Sequence, residues 1–283
     1  MAVVTAMLLV ALAATTATFM LWRQQIWMQQ VENLAAKGQA DALARAALEW
    51  SRRTLAKPAA QPALGAGVET SVIDAQGLFN LNNVVRAGKA SEPDLAILRR
   101  LLALLGLSSA LADALVDAVD ADSDVTFPGG AEDLDYLAMQ PPRRAPNRPL
   151  FDVSSLGRIK GYTPEAIARL GPYVTALPEP TAVNVNSAPA EVLSALVEGL
   201  DERAARALVA ERAKKPFASL DAFRAYLPDS ARIPANAALG VTSSYFVISS
   251  RAQAGRAEVH HRALVGARGA KHEGVIWRKE GDD

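Results

Sequence analysis

The first 22 residues form an apolar run that contains no charged side chain. As a helix, this run would extend roughly 30 Å, the hydrocarbon thickness of a bilayer. A cleaved signal peptide would carry a basic residue before its apolar region, whereas the first basic residue here is Arg23. Trp22 and Trp27 suit the membrane interface. The pattern therefore predicts one transmembrane span over residues 1–22, with the rest of the chain outside the cytoplasm. A long buried core helix is the less favoured alternative.

The helical pattern continues beyond the apolar run. Residues 23–55 contain no proline and a single glycine, Gly38, and their apolar residues recur mostly at steps of three or four, which indicates an amphipathic stripe. The residues of this stripe are Trp27, Val31, Leu34, Ala35, Leu43, Ala46, Ala47 and Trp50. We expect a spine helix over residues 1–56, roughly 80 Å long. Its second half would pack on a globular head, and a linker at residues 57–67 would follow it.

The remaining chain has strand-like ends and a helical middle. Short strands are predicted at 70–73 and 78–81, around a turn, and longer ones at 244–250, 257–265 and 274–279. Helices are predicted at 92–105, 110–119, 153–159, 164–174, 188–200, 202–213 and 220–227, with Ser91 and Ser109 as N-caps of the first two. This order predicts an α+β fold. Residues 57–86 and 241–283 would build a sheet domain, and residues 87–240 an all-α domain inserted into it.

Composition and charge narrow the possible functions. The 283 residues include no cysteine, which excludes disulfides, thiolate metal sites and cysteine nucleophiles. Thirty basic residues balance thirty acidic ones, so there is no electrostatic footprint for nucleic acid. His260 and His261 are neighbours in a strand pattern and would face opposite sides of the sheet, so we interpret them as surface histidines. The common hydrolase, nucleotide and dinucleotide motifs are absent, and no catalytic residue is predicted.

Four motifs occur in an order that resembles a known family. They are Ala46-Ala-Leu-Glu-Trp50, the stretch at 73–83 that begins Ile-Asp-Ala-Gln-Gly, Gly130-Ala-Glu-Asp133, and the stretch at 184–193 that begins Asn-Val-Asn-Ser-Ala-Pro. Together with the apolar start, they resemble the K-type minor pseudopilins of type II secretion systems. The resemblance implies a pilin-like fold with a spine helix, an antiparallel sheet and an inserted α-domain.

The same resemblance implies a function and a location. It implies a subunit of the bacterial inner membrane, crossing it once, with a periplasmic head and a methylated start. Its place would be the tip of the pseudopilus, where it initiates or caps assembly for protein export. Its partners would be the I- and J-type minor pseudopilins, possibly the H type, and the major pseudopilin filament. The basic leader of the family is absent, so we expect a processed or trimmed start.

One position within the resemblance is informative. Most pilin-like subunits carry glutamate at the fifth processed position, and Thr5 stands there if Met1 is the first processed residue. A carboxylate in lipid requires a partner, commonly the N-terminal amine of the subunit ahead. A subunit without that carboxylate needs no neighbour ahead of it, which suits the tip.

An acidic stretch is the strongest candidate for a ligand site. It comprises Asp113, Asp117, Asp120, Asp122, Asp124, Glu132, Asp133 and Asp135. Calcium takes six to eight oxygen ligands, and the loop after residue 120 could curl round such an ion, although its spacing is not that of an EF-hand. Spacing alone favours solvated acids at helix ends. The resemblance favours calcium, because the α-domain of the family holds it. The predicted ligands are Asp120, Asp122, Asp124, Glu132 and Asp133, with Asp117 facing solvent.

Two helical pairs in the α-domain resemble helix-hairpin-helix (SAM-like) units. Such units bind DNA through a glycine-flanked turn whose amides contact a phosphate. The first pair lacks its second glycine after Gly161, and the second has Glu198, Asp201 and Glu202 around its turn, where acids would repel a phosphate. We therefore interpret both hairpins as packing units. The alternative function is that of a membrane-tethered helix-hairpin-helix DNA-binding protein.

Overall fold

The computed structural model describes residues 1–55 and 67–281, so most of the predicted linker at 57–67 lies outside the described residues. In chain order the elements are α1 (Ala2–Thr54), β1 (Val68–Asp74), β2 (Phe79–Asn80), β3 (Val85–Arg86), β4 (Lys89–Ala90), α2 (Glu92–Leu104), α3 (Ala110–Val119), α4 (Asp133–Leu137), α5 (Pro164–Leu170), β5 (Val174–Thr175), β6 (Val183–Asn184), α6 (Ala190–Leu196), α7 (Glu202–Lys214), α8 (Leu220–Arg224), β7 (Leu239–Gly240), β8 (Tyr245–Ala254), β9 (Ala257–Gly266) and β10 (Gly274–Glu280). Short 3-10 helices occupy Ala75–Gly77, Leu81–Val84, Val153–Arg158 and Gly171–Tyr173. The chain forms two compact units. One contains Met1–Val72, Ile248–Leu264 and Trp277–Asp282, and the other contains Ile73–Val247 and Val265–Ile276.

Helix α1 confirms the predicted spine. It runs without interruption for 53 residues, as expected of a segment without proline. Its first part is apolar and long enough to cross a membrane by length and composition, and none of that window is buried. The predicted stripe is wrong in detail, because Trp27, Val31 and Leu34 are exposed.

Small residues make the contact between α1 and the sheet. Ala40 and Ala44 of the helix are fully buried against Ala252 and Val259 of the two central strands. We call this contact the alanine seam. A polar pair lies beside it: His261 Nε2 is 2.7 Å from Asp41 Oδ1.

The four long strands form one antiparallel sheet in the order β1-β8-β9-β10. The three C-terminal strands confirm the prediction. The two predicted N-terminal strands form as β1 and β2, with a 3-10 turn between them. They lie in different sheets, because β2 pairs in parallel with β5, with Phe79 opposite Val174. The segment after α5 is a strand instead of a continued helix, because Gly171-Pro172 ends the helix and this distant pairing takes over.

The helical unit contains α2 to α8 around one buried apolar core. The boundaries of α2 and α3 agree with the prediction, but neither serine caps its helix. The Ser91 hydroxyl donates to Asp94 Oδ2 at 2.6 Å, and Ser109 itself has helical dihedral angles. A residue in the helical region cannot point its hydroxyl at the first free amides.

Three buried asparagines connect the segment after β2 to two distant segments. The Asn82 amide donates to the carbonyls of Leu150 and Leu177, both at 2.9 Å, and accepts from Leu150 N at 2.8 Å. Asn80 Oδ1 accepts from Leu177 N, and Asn83 exchanges two bonds with the backbone of Thr181. We call these residues the asparagine staple. Their amides satisfy buried backbone groups that lie outside any long strand.

Candidate metal centre

Two carboxylates of the acidic stretch lie buried between the end of α3 and the start of α4, in a group of oxygen atoms that we call the buried pocket. Asp120 follows the last residue of α3 in an extended conformation, and Glu132 precedes the first residue of α4, also extended. Only 6% of Asp120 and 5% of Glu132 is exposed. Two carboxylates are therefore buried at the place where the loop between α3 and α4 begins and ends.

Three oxygens in this pocket are buried without a hydrogen-bond partner. They are Asp120 Oδ1, Glu132 Oε1 and Asn147 Oδ1. The Asn147 amide nitrogen donates to the backbone carbonyl of Asp122 at 2.8 Å and lies 3.5 Å from Glu132 Oε2, which places all these groups at one site. Buried polar atoms are normally hydrogen-bonded, and an unpaired buried carboxylate is costly. Carboxylate, amide and carbonyl oxygens are the ligands that calcium prefers.

The carboxylates of the pocket repel one another. Loss of hydration raises the pKa of Asp120 to about 7, and the negative charges of Asp122, Asp117 and Glu132 contribute to the rise. Burial also raises the pKa of Glu132. Ionisation of Asp120 and Glu132 is therefore harder than that of free carboxyl groups, and a bound cation would favour their ionised forms.

The other predicted ligands differ in their surroundings. Asp122 and Asp124 are exposed, and Asp122 Oδ1 accepts from Asp124 N at 2.9 Å in a local turn. Asp133 Oδ1 accepts from Ala145 N at 2.9 Å and so fixes the loop that carries Asn147. Among residues 1–55 and 67–281, no three His, Cys, Asp or Glu side chains could hold a metal by themselves. A site here would need the amide, a backbone carbonyl or water as well.

The prediction that Asp117 faces solvent is wrong. Asp117 is fully buried, and both of its carboxylate oxygens accept from Thr126 N at 3.1 Å. A Cβ on Gly130 would lie 2.1 Å from Asp117 Oδ2, so only glycine permits this close approach. Asp117 points inward from α3, and its bonds to Thr126 N hold the loop that follows α3 against the helix.

Two further acids of the stretch have structural partners. Asp113 pairs with Arg99 at 2.9 Å, and Asp135 pairs with Lys160 at 2.6 Å.

Asn147 is the group that sequence reasoning missed. It lies fifteen residues after Glu132 in a proline-rich segment, and its φ of +40° is one that asparagine tolerates better than most residues. That segment is rich in proline and arginine and contains no acidic residue, so a search for acidic ligands does not find it.

In a chelator, we expect the stability of the helical unit to fall as the pH rises from about 4 to about 7. The pKa of Asp120 in the folded state, about 7, exceeds the ordinary aspartate value of 3.8, so the folded state holds more protons across that range. Native-state hydrogen exchange at pH 5 and pH 7.5 would measure how the free energy of unfolding changes with pH. The variant Asp120→Asn should flatten it, and an unchanged slope in that variant would contradict the assignment.

The histidine prediction is half wrong. His261 is 3% exposed and lies against Asp41, whereas His260 contacts Arg251 and Glu258 on the other face of β9. The two rings do face opposite sides. The sequence pattern could not show that α1 covers one of those sides, because Asp41 is 220 residues away.

The second helical hairpin uses its turn for internal packing. Glu198 N donates to the carbonyl of Arg232 at 2.8 Å, and Leu200 N donates to Val197 O at 3.3 Å. The Asp201 carboxylate caps α7 by accepting from Ala204 N. The amides of Glu198 and Leu200 are thus used inside the protein, and the carboxylates of Glu198, Asp201 and Glu202 around the turn would repel a phosphate.

Comparison with known proteins identifies the family. Two family models described as "Type II secretion system (T2SS), protein K" match residues 77–179 and 183–242. Type II secretion system protein K of Pectobacterium carotovorum is 30% identical over 240 residues, which are 78% of this chain and 72% of that protein. The chain belongs to the type II secretion system protein K family. The protein K of Klebsiella pneumoniae is 34% identical over 76% of this chain and 70% of its own length. The protein K of Pseudomonas aeruginosa is 36% identical over 195 residues, and the match spans 58% of its length.

A solved structure extends the match to the whole fold of protein K. It is the crystal structure of the GspK-GspI-GspJ complex from enterotoxigenic Escherichia coli, with a TM-score of 0.70 and 27% identity. The match covers 92% of this chain and 100% of the other. The predicted pilin-like α+β fold is thereby confirmed, and the comparisons give no support to the DNA-binding alternative.

Proposed function

We propose that this chain is a minor pseudopilin that occupies the tip of a type II secretion pseudopilus. There it would initiate or cap assembly together with I- and J-type minor pseudopilins on a filament of the major pseudopilin, with the H type as a further candidate partner. The proposal is carried by the full-length structural match to the GspK-GspI-GspJ complex. Its role is structural and not catalytic, in line with family relatives named as parts of the secretion system.

The N-terminal helix suits a membrane anchor. Its first 22 residues are uncharged and exposed, so their apolar side chains have no protein partner within the described residues. A helix of this kind is stable in lipid because all its backbone groups bond within the segment. We infer a single span of the bacterial inner membrane with the head in the periplasm.

Thr5 supports the tip position. Its hydroxyl donates to the carbonyl of Ala2 at 2.9 Å, so its only polar group is satisfied inside its own helix. A glutamate there would need a positive partner from another subunit. The chain can therefore stand at the end of a filament without leaving a charge unpaired in lipid.

We also propose that the buried pocket binds calcium. Asp120, Glu132, Asn147 and the Asp122 carbonyl would supply oxygen ligands. The exposed side chains of Asp122 and Asp124 and the half-buried Asp133, which holds Ala145 N, border the same loop. An ion there would join the end of α3, the start of α4 and the loop at Asn147. Calcium would then be a structural cofactor of the α-domain.

We expect the full chain, purified in detergent, to form a defined complex with I- and J-type minor pseudopilins and not to polymerise alone. The exposed face of α1 around Trp27, Val31 and Leu34 is the expected contact. Leu34→Arg should weaken the complex about tenfold or more, because it places a charge in an apolar interface. Gln39→Arg, at an exposed polar position, is the matched control. Size-exclusion chromatography with light scattering would measure complex formation.

Two outcomes would contradict this assignment. One is labelling of secreting cells that finds the chain along the filament shaft at the density of the major subunit. The other is salt-resistant retention of the full chain on a DNA column, which would favour the DNA-binding alternative.

A further inference from the structure

The loop that follows α4 carries three arginines within six residues. Arg143, Arg144 and Arg148 are exposed, and none of them forms an ion pair within the part of the chain that the structure describes. Arg143 lies over the ring of Tyr136, 5.5 Å from its centroid. We call residues 140–149 the arginine loop. Arg143 Nη2 also donates to Met139 Sδ at 3.4 Å. Among the described residues no carboxylate pairs with these guanidinium groups, although six acidic residues precede them between residues 120 and 135.

The backbone of the arginine loop is held in place along its length. Arg143 N donates to Tyr136 O at 3.2 Å, and Arg148 N donates to Ala118 O at 3.1 Å. Between them, Ala145 N donates to the carboxylate of Asp133 in α4, and the Asn147 side chain donates to the backbone carbonyl of Asp122. Pro141, Pro142, Pro146 and Pro149 restrict the remaining freedom. A loop that is ordered before binding loses little entropy when a partner arrives.

We propose that α4 and the arginine loop, residues 133–149, form a docking surface for an acidic segment of another protein. The planar guanidinium presents paired N–H donors that match a carboxylate, and arginine is enriched at protein interfaces. Leu134 and Leu137 of α4 are 86% and 50% exposed and would supply apolar contact beside the charges. The occupant is therefore a chain segment that combines Asp or Glu with apolar side chains.

The surrounding charge favours a protein over a polyanionic surface. The exposed carboxylates of Asp122 and Asp124 lie beside the arginine loop, whose Asn147 donates to the Asp122 carbonyl, so this surface is not uniformly positive. A membrane of anionic lipid or a nucleic acid presents negative charge everywhere and would be repelled by the acids. A protein segment can place its carboxylates opposite the arginines alone.

The test uses the full chain in detergent and a fluorescent twelve-residue peptide of alternating Glu and Leu. Fluorescence anisotropy should show binding that weakens with salt, and a Gln-Leu peptide should bind much less. The charge reversal Arg144→Glu/Arg148→Glu should weaken binding of the Glu-Leu peptide about tenfold or more. The matched reversal Arg203→Glu/Arg256→Glu, at two other exposed arginines, should leave it within about twofold.

A further variant distinguishes the contribution of the positive charge to binding from that of the guanidinium shape, and both from a folding defect. Arg144→Lys/Arg148→Lys keeps the charge but loses the paired donors, and it should retain part of the binding. Failure of the wild-type chain to bind the Glu-Leu peptide would overturn the proposal. So would equal weakening by both charge reversals, or binding to phosphatidylglycerol vesicles through the same arginines in place of the peptide.

Discussion

Calcium should raise the melting temperature of the wild-type chain by about 5–10 °C relative to the same chain in chelator. At a calcium concentration one hundred times the dissociation constant, binding to the folded form alone contributes about 2.7 kcal/mol. One kcal/mol corresponds to about 2–4 °C for a unit of 150–250 residues. Calorimetry of the full chain in detergent would measure the shift, and elemental analysis would identify the bound ion.

The double variant Asp120→Asn/Glu132→Gln gives this prediction a distinctive form. It removes two buried carboxylates whose ionised forms are disfavoured by burial and mutual repulsion. In chelator at pH 7.5, the variant should therefore be at least as stable as wild type. In calcium it should be the less stable of the two, because it no longer responds to the ion.

Asp135→Asn is the matched control for the calcium experiment. Asp135 belongs to the same acidic stretch, but its carboxylate pairs with Lys160 away from the buried pocket. This variant should keep the full response to calcium. The calcium assignment would be abandoned if wild type melted at the same temperature in calcium and in chelator and held no calcium.

The second large effect should come from the asparagine staple. Replacing Asn82 by alanine leaves the carbonyls of Leu150 and Leu177 and the amide of Leu150 without partners in the buried interior. Each unpaired buried group costs about 1–3 kcal/mol, so the three groups together predict a loss of about 3–9 kcal/mol in the free energy of unfolding. Hydrogen exchange at the amides of α6, under native conditions, would report this loss for the helical unit.

Asn236→Ala supplies the control for that measurement. Asn236 is exposed and lies in the same unit, so its replacement should change the free energy by less than about 0.5 kcal/mol. Equal protection of α6 in the two variants would show that water replaces the lost bonds of Asn82.

The sequence predicted elements whose signal is local. Helix α1 follows from an uncharged run and the absence of proline, and the last three strands follow from alternation between turn residues. The sequence did not predict features that depend on contacts between distant segments. The strand at Val174 depends on pairing with Phe79, and the burial of His261 depends on a helix more than 200 residues earlier. Such pairings leave no periodic trace in the chain.

The candidate site shows the same division. Asp120 and Glu132 are recognisable as acids near helix ends, and the structure buries both. Asn147 belongs to the same pocket only because Asp133 and Ala118 hold its loop in place. The inward turn of Asp117 likewise follows from a close approach to Gly130 that spacing does not reveal.

The alanine seam has a mechanical consequence for a helix that carries load along its axis. Flat contacts between small side chains resist separation but oppose axial sliding weakly, because Ala36, Ala40 and Ala44 repeat every four residues. Two polar contacts oppose such sliding, that of Asp41 with His261 and the ion pair of Lys37 with Glu280 of β10 at 3.4 Å. A slide of one helical turn, about 5.4 Å, would bring either Lys37 or Arg45 opposite the histidine in place of the carboxylate. A slide in either direction would thus replace an attractive contact by a cation beside a buried ring. The helix should therefore transmit an axial force from the membrane anchor to the sheet without sliding along it.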